Sequence, residues 1–333
     1  MPNVTYERIG TVNTEQPGAT LLSVALEHDI AHYSACGGHA KCSTCRVLVV
    51  SGADNLTPRT RAETALVEKK GLSKDIRLAC QARVMGPVTI RRLVLDNRDA
   101  ETAYTGAKGA GEAMHIAVLF SDIRGFTSFS ENNYAYDVMH ILNRYLFGVG
   151  ESIHRHNGYI DKYMGDGVMA LFGLSGQGPL QASREAVAAA IDMVEDLRGF
   201  NVYMLEQFGE RFEVGIGIHV GEVVVGEMGH PERRQLTALG DVVNTASRIE
   251  SATKEFGARI LISEQVRELI EDELESARRV EATMKGKKDA HRLTEVLSLT
   301  PREERRAPAA LYQAVLDGVS LVDAPGLLRL AFH

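Results

Sequence analysis

No run of about 18 consecutive apolar residues occurs anywhere in the chain, so no segment is expected to span a membrane. The first residues, Met1-Pro2-Asn3-Val4-Thr5, lack a basic stretch followed by an apolar one, which excludes a secretory signal of the usual form and points to the cytoplasm. Cysteine is scarce: Cys36, Cys42, Cys45 and Cys80 are the only four, all in the first quarter. In a long chain with no secretory signal, such a group reads as metal ligands rather than as two disulfides. A basic stripe is missing too. Residues 1–95 carry 12 Lys/Arg against 8 Asp/Glu and the remainder 25 against 36, for a net charge of -7. That acidic second part argues against a nucleic-acid partner.

What is present is ordinary globular material, 44% hydrophobic and 24% charged, and 333 residues suffice for two cores. Thr20–Glu27 has helical apolar spacing behind a capping Thr, and Arg46–Val50 and Pro87–Ile90 read as strands. The pattern stops over 96–112, where Thr105–Gly111 reads as a linker. It resumes with a strand at Ile116–Phe120 that ends at Asp122. A helix follows, striped by Val138, Ile141, Leu142, Tyr145, Leu146 and Val149 and stopped at Asn157-Gly158. Two strands flank Gly165-Asp166-Gly167, and a helix covers about Gln181–Glu206. Phe212–Val220 and Glu222–Gly226 read as a hairpin, Asp241–Phe256 as a helix and Arg259–Ile262 as a strand. The expected class is α+β, with domains at 1–95 and 113–299, a linker at 96–112 and an extension at 300–333.

Cys36, Cys42 and Cys45 form C-x5-C-x2-C, and Cys80 follows in Arg77-Leu78-Ala79-Cys80-Gln81. Three thiolates in one glycine-containing loop and one from a distant segment can supply two ligands to each iron of a 2Fe–2S cluster. A four-thiolate zinc site is the alternative, but it pairs two C-x2-C knuckles and this chain has one. With five residues in the first gap, residues 1–95 resemble the adrenodoxin-like ferredoxins, which implies a β-grasp fold. The surplus of basic residues is unlike the acidic docking face of a free-standing carrier.

In the second part Asp122 and Asp166 stand on elements that can be neighbours in one sheet, where two carboxylates can hold a pair of Mg²⁺ or Mn²⁺ ions. Asn244 and Arg248 lie four residues apart on one helix face, while Val242, Ala246 and Ile249 face inward. The order of motifs, Asp122–Thr127, Lys162–Asp166, Gly217–Gly221, Gly240–Arg248 and Met284–Lys287, closely resembles the catalytic domain of class III nucleotidyl cyclases. The resemblance implies an α/β sandwich with a βαββαβ core, ATP as substrate, and a homodimer with two sites at its interface. One subunit would bring Asp122, Asp166 and the Ile123 carbonyl to the metals; the other would bring the base and transition-state contacts, Asn244 and Arg248 among them. Lys162 and Thr237 match the base-reading positions, Thr being the mark of the IIIb subgroup, which raises bicarbonate as a candidate stimulator. Lys285 would reach the triphosphate. An ammonium can donate to adenine N1 and a hydroxyl can serve the exocyclic amine, so adenine is the expected base.

His219 reads as a structural histidine, Gly215 and Gly217 as marks of close strand packing, and no further side chain as a general base. Fusion of a cysteine domain to an enzyme that needs no electrons implies control of the cyclase by the cluster's redox state or integrity, set by a ferredoxin reductase or an oxidant. Two other readings are an electron carrier using the second domain for nucleotide binding or dimerisation, and a merely structural cysteine site. In the tail, Ala309–Val319 reads as an amphipathic helix through Leu311, Tyr312, Val315 and Val319.

Overall fold

The computed structural model of the protein describes residues 2–14, 16, 18–94, 111–230, 232–283 and 290–300. The linker at 96–110, the Met284–Lys287 motif with Lys285, and the tail at 301–333 with its Ala309–Val319 helix lie outside the described residues. The chain divides into two compact units, Met1–Glu112 with Val225–Leu236 and Ala113–Val224 with Thr237–His333. No helix among the described residues is long and apolar enough to cross a membrane.

In the first unit, β1 (Asn3–Tyr6) and β2 (Gly10–Asn13) form an antiparallel pair. They lead to α1 (Leu21–Glu27), which starts at the expected cap, the Thr20 hydroxyl accepting from the Ser23 N–H. Next come β3 (Arg46–Ser51), α2 (Arg61–Lys70), β4 (Ile76–Leu78) and β5 (Val88–Arg92), in sheet order β2-β1-β5-β3-β4. β1 and β5 pair in parallel, which closes the segment on itself. Leu21, Leu22, Val24 and Ala25 of α1 share one core with Val4, Tyr6, Val47 and Ile90, and the Tyr6 hydroxyl donates to the Leu21 carbonyl at 3.1 Å. This is the β-grasp arrangement.

One buried ion pair holds the far side of that unit. Glu63 of α2 is fully buried, and its carboxylate accepts from Arg77 Nε (2.9 Å), Arg77 Nη2 (3.0 Å) and the Leu78 N–H (2.8 Å). Arg77 Nη2 also donates to the Thr57 carbonyl at 3.0 Å. A two-pronged contact of this kind sets position as well as energy. It fixes β4, and with it the segment leading into Cys80.

The second unit opens with β6 (Glu112–Ile123), which begins inside the stretch read as linker. α3 (Phe126–Asn132), α4 (Ala135–Arg155), β7 (Tyr159–Met164), β8 (Gly167–Phe172) and α5 (Pro179–Phe208) follow. β9 (Val214–His230), β10 (Arg233–Leu239), α6 (Asp241–Phe256), β11 (Ile260–Ser263), α7 (Glu264–Ile270), β12 (Leu274–Thr283) and β13 (Ala290–Leu299) come next, Val225–Leu236 of β9 and β10 being the stretch that falls in the first unit. The strand order is β12-β13-β11-β9-β6-β8-β7, with β10 paired to β9. Alternate residues of β9 serve the two faces. Ile216, Ile218 and Val220 join a core with Ile141, Tyr145 and Val149 of α4, Ala186 and Ala190 of α5, and Val266 of α7. The opposite face takes α6, whose buried Val242, Ala246 and Ile249 are the inward stripe expected.

The hairpin expected within 212–226 is not formed. β9 runs unbroken through Gly221, and the chain reverses only between His230 and Arg233. Gly221 is there for room: a Cβ would lie 2.6 Å from Val242 Cγ2. Gly215 and Gly217 are explained the same way, and their partner is a helix rather than another strand. A Cβ on Gly215 would meet Thr253 Oγ1 at 2.2 Å, and one on Gly217 the Glu250 backbone nitrogen at 2.0 Å.

Replacing Glu63 by Ala is expected to cost about 3 kcal/mol, because Arg77 is then buried without its partner. Thermal denaturation and amide exchange across β4 measure this. Replacing both residues by apolar side chains of similar size should cost much less, which separates loss of the pair from loss of packing.

Candidate functional site

Asp122 is the penultimate residue of β6, and Asp166 sits at the β7–β8 turn between Gly165 (φ 70°) and Gly167. β8 pairs with β6 so that Ser121 lies opposite Val168, which brings the turn beside Asp122. Asp166 Oδ2 accepts from the Ile123 N–H at 3.2 Å, and the two carboxyl groups are hydrogen-bonded to each other. Gly167 leaves space for this, since a Cβ would come within 3.1 Å of Asp122 Oδ1. Partial burial, then the charge of Asp166, push the Asp122 carboxyl up to about 6. Asp122 keeps one side open to solvent, so the charge of Asp166 is the part of that shift a cation would reverse.

Both aspartates line a cavity of about 440 Å³ with Ile123, Thr127, Glu250 and Lys254. Glu250, on α6, was not found by sequence reasoning. Burial, then the charge of Asp122, raise its carboxyl to about 7. The usable signal was the pair Gly215 and Gly217, which lets α6 lie against β9 at this point. Arg124 closes the cavity's rim by donating through Nη2 to the Thr253 and Ala258 carbonyls near the end of α6.

Lys162 of β7 and Thr237 of β10 are brought together. Lys162 Nζ donates to Thr237 Oγ1 at 3.3 Å, and the Thr237 hydroxyl donates to Asp161 Oδ2 at 2.7 Å. Asp161 is a buried residue that the sequence reading passed over. Asn244 and Arg248 stand one turn apart on α6, the first exposed and the second half-buried, and neither lines the cavity that holds the aspartates. His219 Nδ1 and the Ser263 hydroxyl share a hydrogen bond of 2.8 Å, which ties β9 to the start of α7, as a structural histidine does.

In the first unit the four cysteines are unpaired thiols held in two groups. Cys45 Sγ lies 3.5 Å from Cys80 Sγ, and Cys36 hydrogen-bonds with Cys42. Gly37 (φ 61°), Gly38 (φ 94°) and Ala40 (φ 54°) curl the loop. Burial of Cys36 is outweighed by hydrogen bonds from Cys42 and from the Lys41, Gly38 and His39 backbone, which lower its pKa. The hydrogen bond from Cys45 brings Cys80 down to about 6. Gln81 Nε2 donates to the Gly38 carbonyl at 3.2 Å, joining the loop to the Cys80 segment. His32, also missed, is buried behind the loop. Its Nε2–H donates to the Cys45 carbonyl at 3.2 Å, and burial holds its pKa down at about 4.

Comparison with known proteins finds two families along the chain. Residues 5–85 match the 2Fe-2S iron-sulfur cluster binding domain. The chain is 42% identical over 195 residues to an adenylate cyclase of Anabaena cylindrica, covering 56% of this chain and 38% of that protein. It is 41% identical over 197 residues to the terminal-differentiation specific adenylate cyclase of Dictyostelium discoideum, covering 57% and 9%. The chain therefore spans well under half the length of either relative. Among solved structures, the guanylyl cyclase Cya2 aligns at 34% identity with a TM-score of 0.54, covering 58% of this chain and 96% of that one. The adenylyl cyclase CyaB from P. aeruginosa aligns at 32% with a TM-score of 0.52, covering 57% and 98%. Residues 110–295, more than half of the chain, match the adenylate and guanylate cyclase catalytic domain, and the protein belongs to that family.

Proposed function

We propose that the protein converts ATP to 3′,5′-cyclic AMP and diphosphate, in a homodimer whose cysteine-bearing unit controls the rate. The observation that carries the catalytic reading is the Asp122–Asp166 pair, two like charges held together at a cavity rim with Asp122 raised to about 6. Such a pair lacks positive charge. Its donors, two carboxylates and the Ile123 carbonyl, are the hard oxygens that suit Mg²⁺ or Mn²⁺. Two such ions bound there would acidify the ribose 3′-hydroxyl and neutralise the triphosphate. In the reaction the 3′-hydroxyl gives its proton to solvent, its oxygen bonds to the α-phosphorus, the bond from the α-phosphorus to the bridging oxygen breaks, and diphosphate leaves with that oxygen. Lys162 donates to adenine N1 and Thr237 accepts from the exocyclic amine. Asn244 orients the ribose and Arg248 holds the phosphoryl oxygens, while Lys285 reaches the triphosphate.

That Asn244 and Arg248 do not line the aspartate cavity of their own chain supports a site completed by a second copy. In the first unit, thiols grouped as Cys36 with Cys42 and Cys45 with Cys80 suit a 2Fe–2S cluster, two ligands to each iron. A reductase or oxidant acting on that cluster would set the geometry of the cyclase dimer.

Three outcomes are expected. Asp122→Asn and Arg248→Ala should each be inactive alone, yet mixing them should restore about a quarter of wild-type activity, because half of the random dimers regain one intact site. No recovery on mixing would sink the shared-site reading.

The pKa of Asp122 is raised from 3.8 to about 6, and that of Glu250 from 4.5 to about 7. Both groups therefore favour the folded state when protonated. This contribution is complete below their unfolded values and is lost as pH rises through 6 and 7. Without divalent cations, the melting temperature should fall between about pH 4 and pH 7, and Mn²⁺ should restore it most at the higher pH. Asp122→Asn should flatten the profile.

Cyclic AMP formation by anaerobically purified protein should differ reversibly between oxidised and dithionite-reduced forms. Equal rates in oxidised, reduced and cluster-free protein would remove the regulation and leave the cyclase. No cyclic AMP in any state would remove the cyclase.

A further inference from the structure

Asp161, Lys162 and Thr237 form a chain of hydrogen bonds whose direction is fixed. Asp161 lies on β7 with its side chain fully buried, next to Lys162 in sequence and 3.5 Å from the Lys162 ammonium through Oδ2. The same Oδ2 takes the hydroxyl proton of Thr237 at 2.7 Å. A hydroxyl has one proton and two lone pairs. At Thr237 the proton is committed to Asp161, and one lone pair faces Lys162 Nζ at 3.3 Å. The other can only accept. Lys162, with no lone pair, can only donate.

We propose that Asp161 is a specificity-determining residue: by taking the Thr237 proton it holds that hydroxyl as an acceptor toward the base, so that the pair reads one donor and one acceptor. The inference rests on the reading of Lys162 and Thr237 as base contacts. An adenine edge offers an acceptor at N1 and a donor at the 6-amino group, the complement of the ammonium and the oriented hydroxyl. A 6-oxopurine offers N1–H and O6 and is mismatched at both. Without the carboxylate, the Thr237 hydroxyl is free to rotate and donate to O6, and one of the two mismatches disappears. Asp161 touches no substrate in this scheme; it acts through Thr237.

The test uses the full chain with ATP and inosine triphosphate, which carries the 6-oxo edge without guanine's extra amine. Asp161→Asn keeps the shape, and its amide can donate to Thr237 and release the hydroxyl proton. The preference for ATP over inosine triphosphate in kcat/KM should fall about 10- to 100-fold. Thr237→Ser should keep the wild-type preference, because the hydroxyl and its carboxylate partner remain. In a Thr237→Val background Asp161→Asn should leave the ratio unchanged, there being no hydroxyl left to orient. Equal losses for both nucleotides in Asp161→Asn, or an undiminished shift in the Thr237→Val background, would overturn the proposal and leave Asp161 a packing residue. If Asp161→Asn does not fold, Asp161→Ser serves, since its hydroxyl can also donate to Thr237. Should the wild type cyclise no nucleotide, the cyclase reading fails on that result alone. The same ratios are then read as dissociation constants for ATP and inosine triphosphate by calorimetry, with the same expected loss and the same overturning result.

Discussion

The second unit depends on how closely α6 can lie against β9. Gly215, Gly217 and Gly221 have the same parity along the strand and so face the same side of the sheet. At each, a Cβ would fall within 2.0 to 2.6 Å of an atom of α6. An alanine at Gly217 would press on the helix backbone itself, which has no rotamer to change and would have to move bodily. α6 carries Asn244 and Arg248 on one side and Glu250 at the aspartate cavity, so the strand's missing side chains set the position of all three side chains at once. The opposite side of the same strand, Ile216, Ile218 and Val220, is an ordinary packed core.

In both centres a backbone N–H donates to the group that would carry negative charge. Asp166 is steadied by the Ile123 N–H, and Cys36 by three N–H groups of its own loop. Backbone donors stabilise anions without neutralising them, which leaves each centre able to accept a cation. The buried Glu63–Arg77 pair works the other way. Its charges cancel, and what it contributes is the position of β4.

Much of this was legible in the amino-acid sequence. Period and caps placed α1, α4 and α6, the last to the residue, because each has an apolar stripe and a defined stop. The metal-binding and base-reading candidates stood out because their motifs are short and local. The residues that escaped act across space. Glu250 looks like one more charged residue on a helix until the glycines of β9 bring it to the cavity. Asp161 is hidden because β7 shifts register between Ile160 and Lys162, which brings two successive side chains to the same Thr237 hydroxyl where plain alternation would part them. His32 lies outside the cysteine motif and meets Cys45 only through the fold. The misplaced hairpin has the same cause. A glycine that relieves a clash with a helix 21 residues later cannot be told locally from a glycine that turns the chain.

Cys80 joins Cys45 across 35 residues, whereas the other three cysteines share one short loop. A chain emerging from its N-terminus therefore presents three thiols long before the fourth. The set closes only when β4 has paired with β3 and Glu63 has met Arg77. Bringing the fourth thiol to the other three therefore carries the entropic cost of closing that loop. The Cys80 segment is tied back directly as well, the Ala79 N–H donating to the Cys45 carbonyl at 3.0 Å and Gln81 Nε2 to the Gly38 carbonyl at 3.2 Å.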